Sequence, residues 1–258
     1  MSIPRLAHKH TSPAHFEPAD HLAYFQELGL APRDLAPSGA IFCYQRALLR
    51  HVIEVEQPLA VPCVTGRLYP LPSTDGNVVL AAEFGIGAPA AAMLMELLIA
   101  LGVRRFVTIG TAGALAPNLA VGDLTVCSEA VRDEGVSHHY LATADTPARP
   151  DPLLTEQFAA NLAALGVATA QGPSWTTDAA FRETQAEITH YQAHGVLTVE
   201  MEAAALFAVA ALRGVQIAAG FVVSDVLAAP VWNPQFRSPT ISTGLANLFA
   251  AARATLTA

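Results

Sequence analysis

Two glutamates, Glu200 and Glu202, flank Met201 in VLTVEMEAAALFAVAALRG, a run that is otherwise almost wholly apolar. A carboxylate in such surroundings needs a polar partner, because burying an unpaired charge is costly. No cation lies near either acid in sequence, so the hydroxyls of a sugar are partners that fit. The competing reading is that acids in a first helical turn complement the helix dipole. Residues two apart share a side at a strand end but diverge once a helix begins, so the two carboxylates need not act together. Asp225 closes another apolar run, IAAGFVVSD. An acid so placed can pass a proton to a leaving group. Ser and Asp also cap helices, and on the residue pattern the two readings balance.

Two short glycine segments, FGIGAP and GTAGA, read as turns leading out of strands, where backbone can approach an anion or a sugar closely. Neither fits a dinucleotide fingerprint or a phosphate loop with its lysine, so each alone is explained as well by tight packing. The histidines carry no metal reading. His8 and His10 lie in an amino-terminal arm, and His138 and His139 are expected on opposite faces of a strand. No G-x-S-x-G elbow supports a serine hydrolase.

The elements that must position these groups follow an alternating pattern. AIFCYQ reads as a strand and ALLRHVIE as a helix. VPCVTGRLYPL and NVVLAAEFG read as two strands joined across PSTDG. PAAAMLMELLIALG has Pro89 at a helix start and Gly102 just past its end, and is followed by the strand RRFVTIG and the turn TAGAL. VLTVE, MEAAALFAVAALRG and VQIAAGFVVSD form a second strand, helix, strand unit, and TISTGLANLFAAARATL closes the chain as a helix. Continuous rather than alternating apolar runs imply an α/β fold: one mixed, mostly parallel central sheet covered by helices on both faces. Residues 1–39, with a short helix around ADHLAYFQELG, are expected to form an arm packed on a single domain of residues 40–258. In such sheets ligands gather at the carboxyl ends of strands.

Composition narrows the function classes. Of 258 residues 52% are hydrophobic and 14% charged, about half the usual charged share, which implies a large buried core and a homo-oligomer. The net charge of −8, with no cluster of Lys and Arg, offers no face for nucleic acid. Cys43, Cys63 and Cys127 lie far apart and read as reduced thiols. The amino end lacks the apolar block of a secretory signal, and apolar stretches are interrupted before they could span a bilayer. A cytoplasmic protein without membrane partners is expected.

Taken in order, FGIGAPAAAMLMELLIALGVRRFVTIGTAGAL, LAVGDLTVCSEAVRDEGVSHHY, WTTDAAFRET, VEMEAAALFAVAALRGV and VVSDVL resemble the nucleoside phosphorylase superfamily of purine and uridine phosphorylases and related nucleosidases, from about Ala40 onward. The resemblance implies that Met201 and Glu202 bind ribose, that Glu200 lies beside the base, and that Phe181 packs on it. Gly87 and Thr111 match positions at the anion and sugar end. Asp225 matches the acid that protonates a departing purine, and Arg237 stands about where bacterial purine phosphorylases carry that acid's arginine partner. It further implies phosphorolysis of a purine ribonucleoside, with phosphate as co-substrate and no other cofactor, in a dimer, trimer or hexamer. His15 is a candidate for a histidine lent to a neighbouring subunit.

Two departures bear on the acceptor. The family's G-D-P-x-R turn is replaced by CYQRALLR, and Thr108, a third candidate on the phosphate side, stands where relatives carry an arginine. Arg46, Arg50 or Arg104 would have to supply the charge. Otherwise water is the nucleophile, as in nucleosidases, or the protein only binds a nucleoside.

Overall fold

The computed structural model describes residues 6–142, 146–228 and 232–258. Its elements in chain order are α1 (Pro18–Glu27), β1 (Gly39–Cys43), α2 (Arg46–Glu56), β2 (Val61–Pro62), β3 (Arg67–Pro70), β4 (Val78–Ala82), α3 (Ala88–Ala100), β5 (Arg105–Ala114), β6 (Leu124–Asp133), α4 (Ser137–Tyr140), α5 (Pro152–Ala164), β7 (Thr169–Thr177), α6 (Gln185–Ala193), β8 (Thr198–Glu200), α7 (Ala203–Arg213), β9 (Gln216–Val226) and α8 (Pro239–Thr257). The strands form one nine-stranded sheet in the order β2-β3-β4-β1-β5-β8-β7-β6-β9, and β9 returns to pair with β5. The far half of the sheet is thereby curled into a closed ring of five strands.

The expected mixed, mostly parallel sheet is present. β1 pairs parallel with β4 and β5, β9 with β5, and β7 with β6 and β8; β2–β3, β3–β4, β5–β8 and β6–β9 are antiparallel. One face buries Phe42, Phe106 and Ala112 under α1, α3 and α7, and the other buries Ile41, Val107 and Ile109 under α2, α5 and α8. Helices α3, α7 and α8 bury most of their apolar residues, and each Å2 of apolar surface so removed from water contributes about 25 cal/mol. Among the described residues no helix is long and apolar enough to cross a membrane.

Three local expectations are corrected. VPCVTGRLYPL is two short strands rather than one, because Gly66 turns the chain at φ +70°, packed so close that a Cβ would meet the carbonyl oxygen of Ala82 at 2.5 Å. GTAGA is not a turn: β5 runs straight through it to Ala114. Its glycines serve packing, since a Cβ on Gly113 would collide with Leu227 at 2.3 Å and one on Gly110 would crowd the Tyr44 ring at 3.3 Å. His138 and His139 lie on the single turn α4, where the ring nitrogens of His138 engage the carbonyl and guanidinium of Arg132.

The sheet register also creates an opening. Along one edge of β5, the ladder with β1 ends at Ile109, opposite Cys43, and the ladder with β8 begins at Gly113, opposite Val199. β1 runs parallel to β5 and β8 antiparallel, so their carboxyl ends point at each other across Gly110, Thr111 and Ala112. Tyr44 and Gln45 follow one end; Met201 and Glu202 follow the other.

Candidate active site

The two glutamates of the VEME segment have separate tasks. Glu200 ends β8 with its carboxylate directed to the chain itself. One oxygen accepts from the Thr176 hydroxyl at 2.5 Å and from Ser174 at 3.4 Å, and the other accepts from the backbone N–H groups of Glu202 and Ala203, each at 2.8 Å. It caps α7, as the helix-dipole reading of acids near a helix start requires. No oxygen remains for a base, and Glu200 acts here as the support of the turn that carries Glu202.

Glu202 is the N-cap residue of α7, yet its side chain does not cap that helix. It reaches instead to the start of α3, where Oε1 accepts from the Gly87 N–H at 2.5 Å. Gly87 is held at φ +92°, a conformation that disfavours a side chain, and Pro89 follows within the first turn. Two helix amino termini thus converge on one carboxyl. Burial, and then the charge of Glu200, push that carboxyl up to about 8 despite the N–H donors of Gly87 and Met201. Met201 is half-buried beside it.

The folded chain therefore holds the Glu202 proton more tightly than the unfolded chain does. The resulting stabilisation is full below the ordinary value of 4.5 and is lost as pH rises through about 8. The melting temperature of the ligand-free protein is expected to fall between about pH 5 and pH 8, and Glu202→Gln to remove much of that fall. Equal slopes in both proteins would show that this carboxyl does not titrate there.

Across the gap, the Tyr44 hydroxyl pairs with Thr108 Oγ1 at 2.9 Å, and Gln45 Nε2 donates to Thr111 Oγ1 at 3.2 Å. Burial and the charge of Glu202 push the Tyr44 phenol well above its usual range, so it stays protonated. Thr108 and Thr111 are thus both at the site, engaged by residues that the sequence reading passed over. The arginines considered as replacements are elsewhere. Arg46 and Arg50 are exposed on α2, and Arg104 donates to the carbonyls of Ile99 and Val103 at the opposite end of β5.

Asp225 lies buried inside β9, one residue before its end, and the next helix among the described residues, α8, is capped by Ser238, so Asp225 caps no described helix. Its Oδ1 accepts from Ser224 Oγ at 2.8 Å and its Oδ2 from the Trp232 indole N–H at 2.7 Å. The Trp232 segment is fastened by the Gln235 N–H to the Ser224 carbonyl at 3.0 Å. Arg237, expected as the partner of Asp225, is exposed beyond that turn; the described neighbour is Trp232. Glu183 also belongs here. Burial, and then the charge of Asp225, push its carboxyl up to about 7. In the sequence it looks like an ordinary acid before the helix cap Thr184.

Phe181 is 104% exposed, so none of the described residues covers its ring. His15 is exposed on the rim of a cavity of about 870 Å3 that lies between the arm and α3, α4 and α7. There Arg213 ties Glu96 of α3 at 2.8 Å to Glu17 of the arm at 3.1 Å.

The family model described as the phosphorylase superfamily matches residues 44–253. The chain belongs to that superfamily. Among curated relatives of this superfamily member, the uridine phosphorylase of Salmonella typhimurium is 31% identical over 166 residues, and that of Escherichia coli is equally so. The guanosine phosphorylase of Halorubrum lacusprofundi is 35% identical over 161 residues. These matches cover 58% of this chain for the uridine phosphorylases and 61% for the guanosine phosphorylase, and 65% of each relative's own length. The superfamily match begins at Tyr44, the residue that enters the gap.

Proposed function

We propose that this superfamily member cleaves the N-glycosidic bond of a purine ribonucleoside with phosphate, giving free base and ribose 1-phosphate. The observation that carries this reading is Glu202: a buried carboxyl at the junction of two helix amino termini, facing the β5 gap, with no cation bonded to it among the described residues. Sugar hydroxyls supply the donors that such a group lacks. In the reaction the C1′–N bond breaks with its electron pair leaving on the base, positive charge develops on the ribose, and an acceptor oxygen bonds to C1′. Glu202 stabilises the ribosyl charge, and Asp225 delivers a proton to the purine. A purine rather than a pyrimidine is favoured by an acid in the position of Asp225, and the relatives named above include enzymes of both kinds.

Hydrolysis is the second reading, and one observation favours it. The set Tyr44, Gln45, Thr108 and Thr111 includes no cation, so a phosphate dianion would lack the charge-assisted hydrogen bonds that normally hold it. We further propose a cytoplasmic homo-oligomer. Exposed Phe16, Ile86, Met93 and Leu212 support association.

A panel of inosine, guanosine, adenosine and uridine, incubated with and without phosphate, tests these readings. Release of purine together with ribose 1-phosphate, only when phosphate is present, is the expected outcome. Release that ignores phosphate would make water the acceptor, and binding without release in either buffer would remove catalysis altogether.

A further inference from the structure

We propose that Gln45 is the positioning residue for the attacking group, its side-chain oxygen taking a hydrogen bond from an O–H of the acceptor. This rests on the nucleoside-cleaving reading and specifies the acceptor's chemistry. Gln45 is the N-cap residue of α2, with extended backbone at φ −93° and ψ 127°, but its side chain makes no capping bond. It is turned across the gap, where Nε2 donates to Thr111 Oγ1. The other end of the same amide, Oε1, is buried and finds no hydrogen-bond partner among the described residues. Buried amide oxygens are nearly always paired, because an unmet acceptor loses its water without replacement.

The seating of this amide is specific. It lies over Gly110: from where a Cβ would stand there, Nε2 is at 3.6 Å, Oε1 at 3.8 Å and the Tyr44 ring at 3.3 Å. The Thr111 hydroxyl, having accepted from Gln45, retains its own hydrogen to donate. No cation is among the groups whose charge reaches Tyr44, which include Glu202 and Glu200. A fully deprotonated oxyanion could accept from the Thr111 hydroxyl but would have no hydrogen to offer the Gln45 amide oxygen. Monohydrogen phosphate and water each carry the O–H that Gln45 Oε1 requires. That hydrogen stays on the acceptor: Gln45 orients the attacking oxygen and removes no proton.

The experiment measures base release against acceptor concentration for the wild-type protein and for Gln45→Leu and Gln45→Glu, with sulfate as a competitor. Sulfate matches phosphate in shape and charge but has no O–H at neutral pH. If phosphate is the acceptor, Gln45→Leu is expected to raise its KM by about 10-fold while leaving the nucleoside KM and the melting temperature unchanged. Gln45→Glu, which keeps an accepting oxygen, should recover part of that loss at low pH, and sulfate should compete at least about 10-fold more weakly than phosphate binds. If release ignores phosphate, Gln45→Leu is expected to lower kcat by a similar factor. An unchanged acceptor KM and kcat in Gln45→Leu, or sulfate competing as well as phosphate, would overturn the proposal. A wild-type protein that releases no base would instead take down the nucleoside-cleaving reading beneath it.

Discussion

Glu202→Ala is expected to lower the rate of base release by about 10²–10³-fold, the usual cost of deleting a preorganised group aimed at charge that develops in the transition state. The fold should survive the change. The variant loses the hydrogen bond to Gly87, worth about 1–3 kcal/mol as an unmet donor, but it also removes a buried acid that burial and Glu200 already disfavour in its charged form. Rate and melting temperature should therefore part company, the first collapsing while the second moves little. Ribose hydroxyls donating to Glu202 favour its ionised form, so nucleoside binding near neutral pH should release a proton, detectable as a buffer-dependent heat in calorimetry. Wild-type turnover in Glu202→Ala would remove the sugar-binding role.

Asp225→Asn should reduce purine release by about 10²–10⁴-fold, the range of general acid catalysis. The amide can still accept from the Trp232 indole and meet the Ser224 hydroxyl, so the local structure is retained and the effect isolates proton delivery. Uridine offers a decisive control, because its departing base has no purine nitrogen to protonate. Any uridine cleavage should be far less sensitive to the substitution than inosine or guanosine cleavage. Equal losses on both kinds of nucleoside would make Asp225 a structural residue and withdraw the purine preference. Glu183, close enough to feel the Asp225 charge and pushed up to about 7 itself, is a reason to follow both substrates across neutral pH.

Much of this arrangement was legible in the sequence, because helix punctuation and apolar run length are local signals. Pro89 marked the start of α3, and Gly214, at φ +64°, ended α7 as a left-handed cap residue. The Met201–Glu202 pair and Asp225 stood out because charge is rare at the ends of such apolar strands. What was hidden depended on partners far away in the chain. Gly110 and Gly113 looked like turn residues, but they are glycines because Tyr44 and Leu227 occupy the space of a side chain. Glu200 and Glu202 differ only in which donors meet them, Thr176 and the α7 backbone for one and Gly87 for the other. Gln45 gave no signal, since an exposed helix start is the ordinary place for a glutamine. Trp232 was masked by the expectation placed on Arg237, five residues further on.

The meeting of β1 and β8 end to end on one edge of β5 has a consequence for how this architecture can vary. The aperture between them spans Gly110 to Ala112, about 10 Å at roughly 3.3 Å per strand residue. Its width therefore changes only in whole-residue steps, as either ladder gains or loses a rung. A wider or narrower mouth among kindred proteins should track where those two ladders stop, and should be readable from backbone pairing alone before any side chain is compared.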